Sequence, residues 1–165
     1  MSPADRLLDL GYSVGEPPRP SGPTLPVSAH DGLLYVAGQI PVRDGRLMAT
    51  GIVGEDVDLG LARGCARQAA ANALAHLHAH LGTLDGLRMV RLTVYVAAAR
   101  GFAEHSEVAN AASELLVDVL GGHGHHSRTA IGVSSLPRHS PVEVEVLAAR
   151  TEGAGQSAQH GRHRL

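Results

Sequence analysis

The chain has no tryptophan, one phenylalanine and three tyrosines in 165 residues. That leaves few flat side chains on which nucleic-acid bases could stack. With a formal net charge of -2 it also lacks the cationic excess that draws a protein to phosphate backbones or anionic lipid. A single cysteine, Cys65, excludes an internal disulfide and fits a reducing compartment, which makes the cytoplasm the expected location. No apolar run approaches the roughly 20 residues of a membrane span. The start, Ser2-Pro3-Ala4-Asp5-Arg6, does not read as a secretory leader.

What is present is small. Glycine alone accounts for 20 residues, and alanine is abundant. Small side chains let helix and sheet approach closely but bury little area per residue, so extra burial between subunits would help such a chain. One domain of this length can hold a core without metals or disulfides.

Along the chain, Ser2 and Pro3 open a short helix that Gly11 closes. Residues 15–23 form a Pro-rich arm, so residues 1–23 read as an N-terminal helix and arm. Residues 24–30 and 33–39 read as strands joined by Asp31-Gly32, a hairpin signal. Residues 41–57 are turn-rich, with room for one short strand. Asp58 caps a long helix ending at Gly82, whose stripe runs Ala62, Cys65, Ala66, Ala69, Ala73, Leu77 and Leu81. A strand follows over 87–97, with Val90, Leu92, Val94 and Val96 expected on one face and Met89, Arg91, Thr93 and Tyr95 on the other. A second helix covers about 103–120, and strands cover 128–135 and 142–149. Residues 24–150 form the α+β domain; the small, polar tail 151–165 reads as disordered. Two helices on one face of a mixed sheet is the simplest way to bury both stripes.

In the last two strands, Ile131 and Val133 are expected to face the helices beside Val142, Val144 and Val146. The opposite face then carries Arg128, Ala130, Gly132 and Ser134, with Glu143, Glu145 and Leu147, and with Arg91, Thr93 and Tyr95. Strand alternation alone fits a solvated face. The sharper alternative is a polar pocket, half-buried by a neighbouring subunit, in which a guanidinium grips a carboxylate and a glutamate holds a water; the pattern alone does not decide between them. Other features read as structural. His123-Gly124-His125-His126 reads as a polar loop, His76 and His80 as a solvated helix face, and Cys65 as a buried thiol. No metal site is expected.

Three segments carry a resemblance. They are Gly38-Gln39-Ile40-Pro41 after an apolar strand; His126-Ser127-Arg128-Thr129-Ala130-Ile131-Gly132-Val133-Ser134-Ser135-Leu136-Pro137; and Val142-Glu143-Val144-Glu145. Together with the element order, they make residues 22–150 similar to the Rid (RidA/YjgF, reactive intermediate deaminase) superfamily; the N-terminal helix, the Pro-rich arm and Gly51-Ile52-Val53-Gly54 resemble its bacterial branch named endoribonuclease L-PSP. The resemblance implies a chorismate-mutase-like α+β fold, a homotrimer around a central β-barrel, and sites between subunits. It implies hydrolysis of 2-imino or enamine acids to 2-keto acids and ammonium, without metal or cofactor. Arg128 matches the arginine that binds the substrate carboxylate and Glu143 the glutamate that positions water. Gly38 matches a glycine whose backbone lines the pocket, and Asn110 an asparagine at its rim. Thr24 stands where the family has a tyrosine, and Ala130 where it often has a cysteine. That departure keeps a second reading open, a non-catalytic binder of small carboxylates; a specialised imine-processing step is a third. Low charge and scarce aromatics argue against RNA cleavage.

Overall fold

A computed structural model describes residues 1–15, 17–19 and 22–150 of the chain; the expected tail 151–165 lies outside the described residues. The elements are α1 (Pro3–Asp9), β1 (Val27–His30), β2 (Leu33–Gln39), β3 (Val42–Arg43), β4 (Arg46–Leu47), α2 (Leu59–Leu81), β5 (Leu87–Ala97), α3 (His105–Leu120), β6 (Ser127–Val133) and β7 (Val142–Arg150). Five strands form a mixed sheet in the order β1-β2-β7-β5-β6. β5 and β6 run parallel and the other neighbours antiparallel. Helices α2 and α3 pack against each other and cover one face. β3 and β4 form a separate hairpin around Asp44-Gly45, where the turn-rich segment was expected to yield one strand.

Local chemistry sets the boundaries. Ser2 and Asp5 exchange hydrogen bonds in a capping box at α1. Asp58 accepts from the Leu61 amide at the start of α2, and Gly82 ends that helix in the left-handed conformation that glycine adopts without penalty. The α2 stripe is buried as its spacing predicts, except Leu81, which is half-buried. Cys65 lies inside it, and burial pushes its thiol up to about 11, so it is an inert packing group at neutral pH. α1 is more than an appendage. Leu7 is fully buried in the main core, and Arg6 Nε donates to the Val119 carbonyl at 2.6 Å, which ties α1 to the end of α3.

Two face assignments differ from expectation. β5 carries a bulge between Met89 and Arg91. The extra residue shifts the alternation, so Met89 is buried with Leu92, Val94 and Val96 while Val90 is exposed. In β6 the faces are reversed. Arg128, Ala130 and Gly132 pair with the buried Leu92, Val94 and Val96, and so face α3; Thr129 and Ile131 pair with Thr93 and Tyr95 on the other side. Ile131 is 46% exposed. The cause is spatial: a Cβ at Gly132 would stand 2.5 Å from His105 Nε2, so only small side chains fit under this end of α3.

The face opposite the helices is left uncovered in the single chain. It is a shallow concavity of about 420 Å³ bordered by Tyr35, Tyr95, Ile131 and Leu147, with polar pairs set among them: Tyr95 Oη donates to Glu145 at 3.1 Å, and Arg91 to Thr129 at 3.1 Å.

Candidate active site

The six expected site residues fall into two groups on opposite faces of the sheet. The first group is built where α3 crosses the edge strand β6. Arg128 Nη1 donates to Asn110 Oδ1 at 2.9 Å and to Ser113 Oγ at 3.0 Å, both on α3. Asn110 is in turn oriented by its amide nitrogen, which donates to Glu107 at 3.4 Å. Ser113 Oγ also lies 3.0 Å from His126 Nε2, and His126 Nδ1 lies 2.6 Å from the Gly124 carbonyl. A carbonyl can only accept, so Nδ1 carries the proton. With neutral His126, Nε2 then accepts from the Ser113 hydroxyl, whose lone pairs are left for Arg128. Burial, with the Arg128 charge assisting, holds the His126 imidazole below its ordinary pKa and favours this neutral form. Both bonds to Arg128 use Nη1; among the described residues Nη2 and Nε have no partner, which leaves one edge of the guanidinium fork free for a carboxylate. Ala130, two residues along the same face, packs against the core.

The second group lies at the β2–β7 seam. Glu143 pairs with Tyr95 in register and faces away from the helices, half-buried and with no hydrogen bond among the described residues. A cavity of about 280 Å³ holds it together with Thr24, Gly38, His76, Pro137 and Arg138. Gly38 makes this possible: a side chain there would enter the space of the Glu143 carboxylate, with a Cβ only 2.8 Å from its Cδ. Burial raises the Glu143 carboxyl above its ordinary pKa, and the neighbouring Glu145 adds to the shift. A carboxylate so destabilised is a better proton acceptor than one in water.

The expectation that Arg128 and Glu143 share one face is therefore corrected. β5 stands between their strands, which puts them roughly 10 Å apart across the sheet, a further ~10 Å along it, and on opposite sides. The structure brings together Arg128 with Asn110, and Glu143 with Gly38 and Thr24. It does not bring the two groups together in one chain.

Three contributors escaped the sequence reading. Ser113 carried no motif. His126 was read as part of a polar loop, yet it is half-buried behind Ser113. His76 was read as solvated; it is 5% exposed and bonded to the backbone of Pro18, so it fastens the Pro-rich arm over α2. The arm has no periodicity from which that cover could be foreseen.

A mixed five-stranded sheet with two helices on one face and an open opposite face defines a chorismate-mutase-like α+β protein of the YjgF type. The chain belongs to the family described as Endoribonuclease L-PSP, the Rid family, whose model matches residues 16–150. It is 39% identical over 116 residues to Protein TCP17 of Trypanosoma cruzi, covering 69% of this chain and 72% of that one. Among solved structures, it resembles the protein Atu1372 of Agrobacterium tumefaciens, of unknown function (TM-score 0.83, 36% identity, 90% of this chain and 92% of that one). It shares the fold of E. coli TdcF, solved with bound serine (TM-score 0.59, 19% identity, 85% and 98% covered).

Proposed function

We propose that this protein hydrolyses 2-imino or enamine acids to 2-keto acids and ammonium, at sites formed between the subunits of a homotrimer. The observation that carries the reading is the division of the site. Arg128 is braced with a free donor edge, and Glu143 sits in a cavity with its carboxyl pKa raised, but one chain cannot present both to one small molecule. Packing the open sheet faces of three chains around an axis would cover Tyr35 and Ile131, which are 48% and 46% exposed, and would lay the Arg128 edge of one subunit against the Glu143 cavity of its neighbour. The bound serine in TdcF, a protein of the same fold, is an amino acid of the size such a cleft takes.

In the assembled site, Arg128 holds the substrate carboxylate and fixes the imine carbon. Glu143 takes a proton from a water as that water's oxygen bonds to the carbon. That proton passes to the nitrogen, giving a carbinolamine; Glu143 then moves the hydroxyl proton to the same nitrogen, the C–N bond breaks, and ammonia leaves as the C=O bond forms. Positioning and one acid–base group supply roughly 10²–10⁴-fold from proton transfer alone, which suffices for a bond that hydrolyses unaided. Thr24 lines the cavity without the aromatic ring of the family tyrosine and so widens it. The test is to generate 2-iminobutanoate in situ with a threonine dehydratase and time 2-oxobutanoate release. The protein should accelerate release and Arg128→Ala should abolish the acceleration; an Arg128→Ala protein as active as the parent refutes the assignment.

A further inference from the structure

The turn that closes the Glu143 cavity is held in an unusual conformation. Four non-glycine residues have positive φ: Asp31, Asp44, Arg138 and His139, among the described residues. Asp31 and Asp44 precede glycines in tight hairpin turns, where that conformation is required and aspartate tolerates it. Histidine is also enriched there, but a long side chain such as arginine is not. Arg138 nevertheless sits at φ 59, ψ 23, followed directly by His139 at φ 57.

The surroundings enforce it. The His139 amide donates to the Leu136 carbonyl at 3.1 Å and the Ser140 amide to the Pro137 carbonyl at 3.1 Å. The Gly51 amide clamps the His139 carbonyl at 2.9 Å, and the fully buried Ser140 donates from Oγ to the Val142 carbonyl at 2.7 Å, one residue from Glu143. A glycine would take position 138 without strain, so what the chain gains from arginine must lie in its side chain. Arg138 is one of the residues that line the Glu143 cavity. Its side chain forms no hydrogen bond or ion pair among the described residues, and Glu143 is not its partner. Arg19, on the Pro-rich arm, lines the same cavity and adds a second cation at the rim.

We infer that Arg138 is a specificity-determining residue that binds a second, distal carboxylate, so that the site prefers dicarboxylic 2-imino acids over monocarboxylic ones. This rests on the reading above, in which the neighbour's Arg128 holds the first carboxylate. A guanidinium is suited to the second because its planar fork matches a carboxylate in two hydrogen bonds. The turn fixes the backbone, which lowers the cost of ordering that side chain on binding. A cavity of about 280 Å³ is close to metabolite size, and Arg19 and Arg138 are the two cationic residues that line it for a diacid's far end.

The test is calorimetric binding of two stable keto analogues, 2-oxobutanoate and 2-oxoglutarate, to the full-length protein and to Arg138→Gly. Glycine suits the left-handed position, so this variant keeps the fold. The parent should bind 2-oxoglutarate about 10–100-fold more tightly than 2-oxobutanoate. Arg138→Gly should lose that preference and bind 2-oxobutanoate within about twofold of the parent. Equal affinities in the parent, no measurable diacid binding, or a preference that survives in Arg138→Gly would overturn the assignment. Imine hydrolysis is assayed separately, so a protein that discriminates the two keto acids yet hydrolyses no imine refutes the catalytic reading and leaves Arg138's role standing.

Discussion

The two halves of the candidate site are organised by opposite means. Around Arg128, order comes from hydrogen bonds: one arm through Gly124, His126 and Ser113 and another through Glu107 and Asn110 meet on one nitrogen of the guanidinium. Around Glu143, order comes from what is missing. Gly38 has no side chain, Thr24 no ring, and the carboxylate forms no hydrogen bond among the described residues. The difference suits the two tasks proposed for these groups. A cation that holds a carboxylate gains from rigid, satisfied support, because freedom lost on binding weakens the grip. A carboxylate that must take a proton gains from poor solvation, which raises its pKa toward the working range, and each donor added beside it would lower that pKa again.

The largest expected break in this comparison is Arg128→Ala, which removes the meeting point of the two arms and should lower kcat/KM for 2-iminobutanoate by about 10²-fold or more, as loss of a charged positioning group does. Next is Gly38→Ala. Its methyl group enters the Glu143 carboxylate's space, so kcat should fall by roughly 10²-fold while KM moves little, because the carboxylate grip is on the other half. Ser113→Ala removes one hydrogen bond to Arg128 and leaves His126 unpaired at Nε2. It should raise KM about five- to tenfold with kcat nearly unchanged, the size expected from about 1 kcal/mol in the grip. A KM unchanged in Ser113→Ala would show that the arm through His126 is packing rather than support.

The smallest effect concerns stability and has a definite sign. The Glu143 carboxyl is raised above 4.5 in the folded protein, so ionising it costs folding free energy. The stabilisation is present below the unfolded pKa and is lost as pH rises through the folded one. Glu143→Gln should therefore raise the Tm at pH 7, and the gain should disappear below about pH 4, as melting curves across that range would show. A Tm lowered at pH 7 would mean that the carboxylate is held by favourable contacts, contrary to the comparison above.

Much of this was legible in the sequence. Asp31-Gly32 marked the first hairpin, Asp58 and Gly82 bounded α2, and the alanine stripe fixed its buried side. Within each half of the site, the residues expected to matter are close together. What sequence could not supply was the side of the sheet. Ile131 is apolar, but an apolar residue serves a subunit interface as well as a core, so hydrophobicity alone put it with the helices and Arg128 with Glu143. The bulge at Val90 left no mark, since both faces around it carry apolar residues. His126 and His76 were misread because their partners lie on other segments whose approach no local pattern encodes.

The central claim is that each working site takes Arg128 from one subunit and Glu143 from another. Arg128→Ala and Glu143→Gln chains, each inactive alone, can be unfolded together, refolded as a mixture and assayed for 2-iminobutanoate hydrolysis. If the site spans two subunits, the refolded 1:1 mixture as a whole regains about a quarter of the parent activity from the intact pairings that random assembly creates. A mixture that stays as inactive as its components, although mass spectrometry shows mixed trimers, would place both residues in a single-chain site and contradict the account.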